Sequence, residues 1–137
     1  MKSLPLVLVA IPKGSQSQLL PHLKSMEVEV VAVETCWQVR DLVATHPVDL
    51  VITDMTLPDG NWCDILKHLV DNNTRASVVV AATTATDSLW AEVFWRGAYD
   101  LLIEPYQGHE VRHVVWSALR ATMRSKEQTE VSSEGAA

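Results

Sequence analysis

The residue best placed for chemistry in this 137-residue chain is Asp54. It ends a short apolar run, Leu50-Val51-Ile52, of the kind that forms a strand buried in a parallel sheet. The turn sequence Leu57-Pro58-Asp59-Gly60 follows directly. In open α/β sheets, ligands gather at the carboxyl ends of the strands, so this acid is a candidate reactive group. The plainer alternative is an acid that only caps the turn. A second feature is Lys13-Gly14-Ser15-Gln16-Ser17. A Gly/Ser loop between a strand and a helix can cradle a phosphate with backbone N–H groups, although no full phosphate-binding motif is present here. His109 and His113 lie one helical turn apart, but no third metal ligand is evident, and a solvated pair is expected. Cys36 and Cys63 read as small buried hydrophobes.

Five strands and five helices must position these groups. Leu6 to Ile11 is the first strand, broken by Pro12. The first helix is expected to start at Ser15 or Ser17, and Pro21 favours Ser17, since proline is tolerated in a first turn. Glu27 to Val33 alternates like an edge strand. Thr35 and Gln38 form a capping box for a second helix with Val39, Leu42 and Val43 inside, and Pro47 ends it. After the central strand, a third helix runs from Trp62 to Asp71, with Ile65, Leu66, Leu69 and Val70 on one face. Ser77 to Ala82 is the fourth strand. Thr86 or Asp87 caps a fourth helix with Leu89, Trp90, Val93 and Phe94 inward, and Gly97 stops it. Tyr99 to Ile103 is the fifth strand. His109 to Met123 is the last helix, with Val111, Val114, Val115, Ala118 and Leu119 as its stripe. This alternation predicts an α/β fold, a flavodoxin-like (βα)5 three-layer sandwich around a five-stranded parallel sheet of order 2-1-3-4-5.

The formal net charge of −6 argues against direct nucleic-acid binding. Two cysteines make no disulfide framework and fit a reduced, cytoplasmic setting. The apolar run after Met1-Lys2-Ser3 is too short to span a bilayer, and no signal-peptide pattern is seen. Residues 1–124 are expected to form one domain, and residues 125–137 a flexible tail or linker.

Asp54-Met55-Thr56-Leu57-Pro58-Asp59-Gly60, followed by Gly97-Ala98-Tyr99-Asp100 and Glu104-Pro105, resembles the receiver domain of two-component response regulators. The resemblance covers roughly Leu4 to Met123. It implies the 2-1-3-4-5 fold, a cis proline after Glu104, and Asp54 as acceptor of a phosphoryl group from a sensor histidine kinase. It also implies Mg²⁺ held by an acidic pair, a Thr or Ser, a Lys, and an aromatic switch residue. The spacing places the acidic pair at Ile11 and Pro12, the hydroxyl at Ala82, the lysine at Glu104 and the aromatic switch at Leu101. Thr83 and Thr84 can recover the hydroxyl by a one-residue shift, and Tyr99 lies two residues before Leu101. Mg²⁺ wants near-octahedral oxygen coordination, so it is a doubtful cofactor and no other is expected. Lys13 and Glu104 invert the usual charges, which suggests that Lys13 pairs with Asp54 and Glu104; the alternative is a solvated Lys13.

With these departures from the family pattern, the chain is expected to be an atypical receiver, not an enzyme, acting by protein–protein contact with little or no phosphorylation. Its expected partners are a histidine kinase or other signalling protein and a C-terminal output domain, as in a transcriptional regulator. Trp95, Leu101 and Trp116 are the candidate interface residues, on a fourth-helix, fifth-strand, fifth-helix face able to support a homodimer. The alternatives are a receiver switched by phosphorylation of Asp54 and, from a different class, a flavodoxin-like phosphate or nucleotide binder using Lys13 to Ser17.

Overall fold

A computed structural model describes residues 4–135, with the side chains of the last helix described as far as Glu127. The strands are β1 (Leu6–Ala10), β2 (Glu29–Val33), β3 (Leu50–Asp54), β4 (Thr56–Leu57), β5 (Gly60–Asn61), β6 (Ser77–Ala82) and β7 (Asp100–Ile103). The helices are α1 (Lys13–Lys24), α2 (Cys36–Thr45), α3 (Trp62–Asp71), α4 (Asp87–Trp95) and α5 (Gly108–Gly135). The main sheet is parallel, in the order β2-β1-β3-β6-β7. Setting aside the small β4-β5 hairpin, this is the expected 2-1-3-4-5 order.

Side chains alternate across a strand, so each central strand feeds two cores. Val7, Val9, Leu50, Ile52, Val79 and Leu102 pack with Leu19 and Leu23 of α1 and Val111, Val115 and Ala118 of α5. Leu8, Val51, Val78, Val80 and Leu101 pack on the other side with Val39 of α2, Ile65 of α3 and Val93 of α4. Burying each such aliphatic side chain contributes about 1.5–3 kcal/mol.

The helix ends show the sequence at work. Thr35 accepts from Gln38 N, and the Gln38 side chain accepts from Thr35 N, which is the expected capping box. Asn61 and Asp64 form a second one at α3. Thr86 caps α4, whose C-terminus turns through Gly97 at φ +100° with Ala98 N reaching Val93 O.

Several expectations are corrected. α1 starts at Lys13, because Pro12 O accepts from Ser15 N and Gln16 N, and Pro21 sits inside the helix at an exposed position. Val70 and Phe94, expected on inner stripes, are exposed, Phe94 stacking on Trp90 with ring centroids 5.7 Å apart. Tyr99 packs with the α1/α5 core, opposite to Leu101. The last helix does not stop at Met123. Thr122 Oγ1 donates to Asp49 O, and Lys126 Nζ meets Asp49 Oδ1 at 2.6 Å, tying the helix past Ser125 to the start of β3. α5 runs to Gly135; residues 136–137 and 1–3 lie outside the described residues.

Candidate functional site

The site lies at the carboxyl ends of β1, β3, β6 and β7. Register puts Ala10 beside Thr53, and Asp54 beside Ala81. It also puts Ala82 beside Ile103, and Glu104 N donates to Ala82 O at 3.0 Å. Asp54 is half-buried, and its Oδ1 accepts from Met55 N at 2.8 Å. The peptide bond between Glu104 and Pro105 is cis, as the resemblance implied.

Ile11 is buried and packs into the α1/α5 core, while Pro12 is exposed just before α1. Neither carries a side-chain oxygen. The Gln16 amide donates to Ile11 O at 2.8 Å and to Val33 O at 3.3 Å, engaging the carbonyls at the ends of β1 and β2. Met55 O accepts from Trp62 N. Ile11 and Pro12 therefore offer a cation beside Asp54 no side-chain ligand, whereas octahedral Mg²⁺ takes several oxygens. Lys13 to Ser17 form the first turns of α1, so the stretch expected as a phosphate loop is helical.

Lys13 is exposed and makes no ion pair among the described residues, so the expected bridge to Asp54 and Glu104 does not form. Tyr106 takes that place, and sequence reasoning missed it. Its hydroxyl lies 3.5 Å from Glu104 Oε1. Burial, then the charges of Glu104 and Asp54, push its phenol pKa well above the ordinary value. The only legible signal was an aromatic residue two positions after Glu104. Thr83 and Thr84 are exposed just beyond β6.

Asp59 of the turn is a structural residue. Its carboxylate accepts from Cys36 N at 2.8 Å and from Trp37 N at 3.0 Å, holding the α2 N-terminus against the hairpin after Asp54. A Cβ on Gly60 would lie 2.5 Å from Asp64 Oδ2, so only glycine fits this turn without displacing the α3 cap. Burial, followed by Asp59, pushes the Cys36 thiol up to about 11, keeping it a protonated packing group at neutral pH. The hydrogen bond from Cys36 N is the largest cause that lowers the Asp59 pKa from its ordinary 3.8. A lowered carboxylate adds stability above its ordinary pKa and loses it as pH falls through the native value. Asp59→Ala is expected to cost about 1 kcal/mol at pH 7 and to weaken the pH dependence of stability below about pH 4, read by thermal melts across that range.

Of the interface candidates, Trp95 is 91% exposed and Trp116 37%. Leu101 is only 2% exposed, inside the α2/α3/α4 core, and cannot contact a partner.

Comparison with known proteins agrees with this geometry. The sequence profile of the response regulator receiver domain matches residues 14–115. The chain is 27% identical over 109 residues to the response regulator protein PilR of Pseudomonas aeruginosa, a match covering 80% of this chain and 24% of PilR. It is 26% identical over 88 residues to the chemotaxis protein CheY of Bacillus subtilis, covering 64% of this chain and 73% of CheY. The signal receiver domain of a LuxO repressor protein from Vibrio parahaemolyticus superposes with a TM-score of 0.78 at 22% identity, over 89% of this chain and 95% of that one. The receiver domain of an HD domain-containing protein from Pseudomonas fluorescens Pf-5 gives 0.81 at 19% identity, over 93% and 95%. This chain belongs to the response regulator receiver domain family and is a receiver of two-component signal transduction. It spans about a quarter of the length of PilR and of the Vibrio cholerae LuxO it also matches. No described helix is long and apolar enough to cross a membrane.

Proposed function

We propose that this receiver works by protein–protein contact and accepts phosphoryl groups at Asp54 poorly or not at all. The observation that carries this reading is the pocket's charge. Glu104 stands where the family places a lysine, Tyr106 sits on Glu104, and no cationic side chain pairs with either carboxylate among the described residues. Phosphoryl transfer relies on positioning and on cations that neutralise developing charge. An anionic pocket repels the incoming dianion instead. On this reading the domain is not an enzyme.

Its partners are a sensor histidine kinase or another signalling protein, and an output domain following the chain. Support comes from the names of relatives, among them the DNA-binding transcriptional regulator NtrC of Rhizobium meliloti, of which the match covers 19%. A cytoplasmic receiver that regulates transcription through such a domain fits these likenesses. Exposed Trp95 on α4 and Trp116 on α5 suit partner contacts, since tryptophan is enriched at hot spots.

A titration with Mg²⁺ and beryllofluoride, an aspartyl-phosphate mimic, tests the pocket. Tryptophan fluorescence and amide shifts around Asp54 are expected to stay unchanged into the tens of millimolar Mg²⁺. Saturable, Mg²⁺-dependent shifts at Asp54, Thr83 and α4 would establish the phosphorylation-switched alternative.

A further inference from the structure

A cavity of about 470 Å³ opens at the amino ends of the strands, at the opposite end of the sheet from Asp54. Four segments wall it. Leu4 and Pro5 lead into β1, and Glu29 and Val31 stand on the edge strand β2. Leu42 lies near the end of α2, with Pro47 just beyond it, and Leu119, Met123 and Lys126 come from α5. Hydrogen bonds fix these segments to one another. Glu29 N donates to Pro5 O at 2.8 Å, and Asp49 N to Leu6 O at 2.9 Å. The Asp49 carboxylate accepts from Leu6 N at 2.9 Å and from Lys126 Nζ at 2.6 Å, tying the start of β1 to α5. The cavity is therefore built in the chain by itself, and its volume lies in the range of about 300–1,000 Å³ that suits small molecules.

The lining is aliphatic with a few polar groups, the usual make-up of a small-molecule site. Val31, Leu42 and Leu119 give it apolar walls, and Leu4 and Met123, 53% and 56% exposed, leave apolar surface open at its rim. His46, whose Nδ1 meets Thr45 Oγ1 at 2.8 Å, adds a polar group. The charged lining residues are Glu29, Asp49 and Lys126. Asp49 and Lys126 pair with each other. Glu29 has no ion pair among the described residues, so the lining carries one unmatched negative charge. An apolar anion would set its charge against Glu29, whereas an apolar ammonium would be matched by it.

We propose that this cavity binds a small molecule with an aliphatic body and a primary ammonium group. The ammonium pairs with Glu29, and the body lies against Val31, Leu42 and Met123. The limited volume selects a free amine over a protein segment. Because Leu119, Met123 and Lys126 form one wall, occupancy braces α5 against the amino ends of the strands. The site is separate from the Asp54 pocket and does not depend on whether Asp54 accepts a phosphoryl group.

Amide-shift titrations of the full chain by NMR, with hexylammonium, hexanoate and hexanol in turn, test it near neutral pH. Hexylammonium is expected to shift the amides of Leu6, Glu29, Val31 and Lys126 saturably, with a dissociation constant about fivefold or more below those of the other two probes. Glu29→Gln is expected to weaken hexylammonium binding by about fivefold, and Glu29→Lys to reverse the preference in favour of hexanoate. Glu29 is exposed, and thermal melts check that both variants fold. Equal binding of the three probes by the wild type overturns the proposal, as does a preference for hexylammonium that survives Glu29→Lys. Shifts that do not saturate into the tens of millimolar overturn it too. Shifts centred on Asp54 and Glu104 would place the amine at the other end of the sheet, with the same consequence.

Discussion

Glu104→Lys is expected to raise the affinity of the strand-end pocket for inorganic phosphate, lowering the dissociation constant about 100-fold. The substitution changes the charge at the end of β7 by two units, where Glu104 N is bonded to Ala82 O. Charges a few ångströms apart at a protein surface interact by about 1–4 kcal/mol, and 100-fold in affinity corresponds to about 2.7 kcal/mol. The new ammonium would also meet Tyr106 in place of the carboxylate that its hydroxyl now meets. Phosphorus NMR titration of the wild type, Glu104→Lys and the double variant with Asp54→Asn measures the effect. Equal, weak binding by the wild type and Glu104→Lys would mean that Glu104 does not set the pocket's charge.

Leu101→Ala is expected to destabilise the domain by about 3 kcal/mol and to leave partner contacts unchanged, the opposite of what an interface residue would do. Leu101 is 2% exposed and packs with Val93 and Ala98 beneath α4. Truncating a buried leucine removes transfer free energy and leaves a cavity, together about 2–5 kcal/mol. Trp95, 91% exposed, serves as the contrast: Trp95→Ala should shift the melting temperature little while weakening any contact made through α4. Urea denaturation of both variants separates the two roles. A Leu101→Ala protein as stable as the wild type would show that β7 is not anchored by this side chain.

The elements were legible because their signals are local. β-branched runs marked β1, β3 and β6, and Thr35 with Gln38 marked the start of α2. Errors fell where backbone geometry or a tertiary contact overrode a side-chain cue. Ser15 and Ser17 look like helix caps, yet Pro12 O takes the first amides and the helix begins earlier. Leu101 and Tyr99 share a strand-like spacing, yet Tyr99 precedes β7 and packs on the other side of the sheet. The helix past Ser125 has no apolar stripe, and its hold depends on Lys126 and Thr122 meeting Asp49, more than 70 residues away in sequence.

By itself the chain's order of residues determined the parallel α/β fold, the place of Asp54 at a strand end, and the absence of acids at Ile11 and Pro12 and of a lysine at Glu104. Residue identity and short-range periodicity carry all of these. Only the tertiary structure decided what surrounds Asp54. It turned Lys13 out to solvent, brought Tyr106 onto Glu104, and gave Asp59 to the N-terminus of α2. The Asp59 contact joins loops 23 residues apart, and the Tyr106 contact, only two residues along, is set by loop backbone geometry that side-chain patterning does not encode.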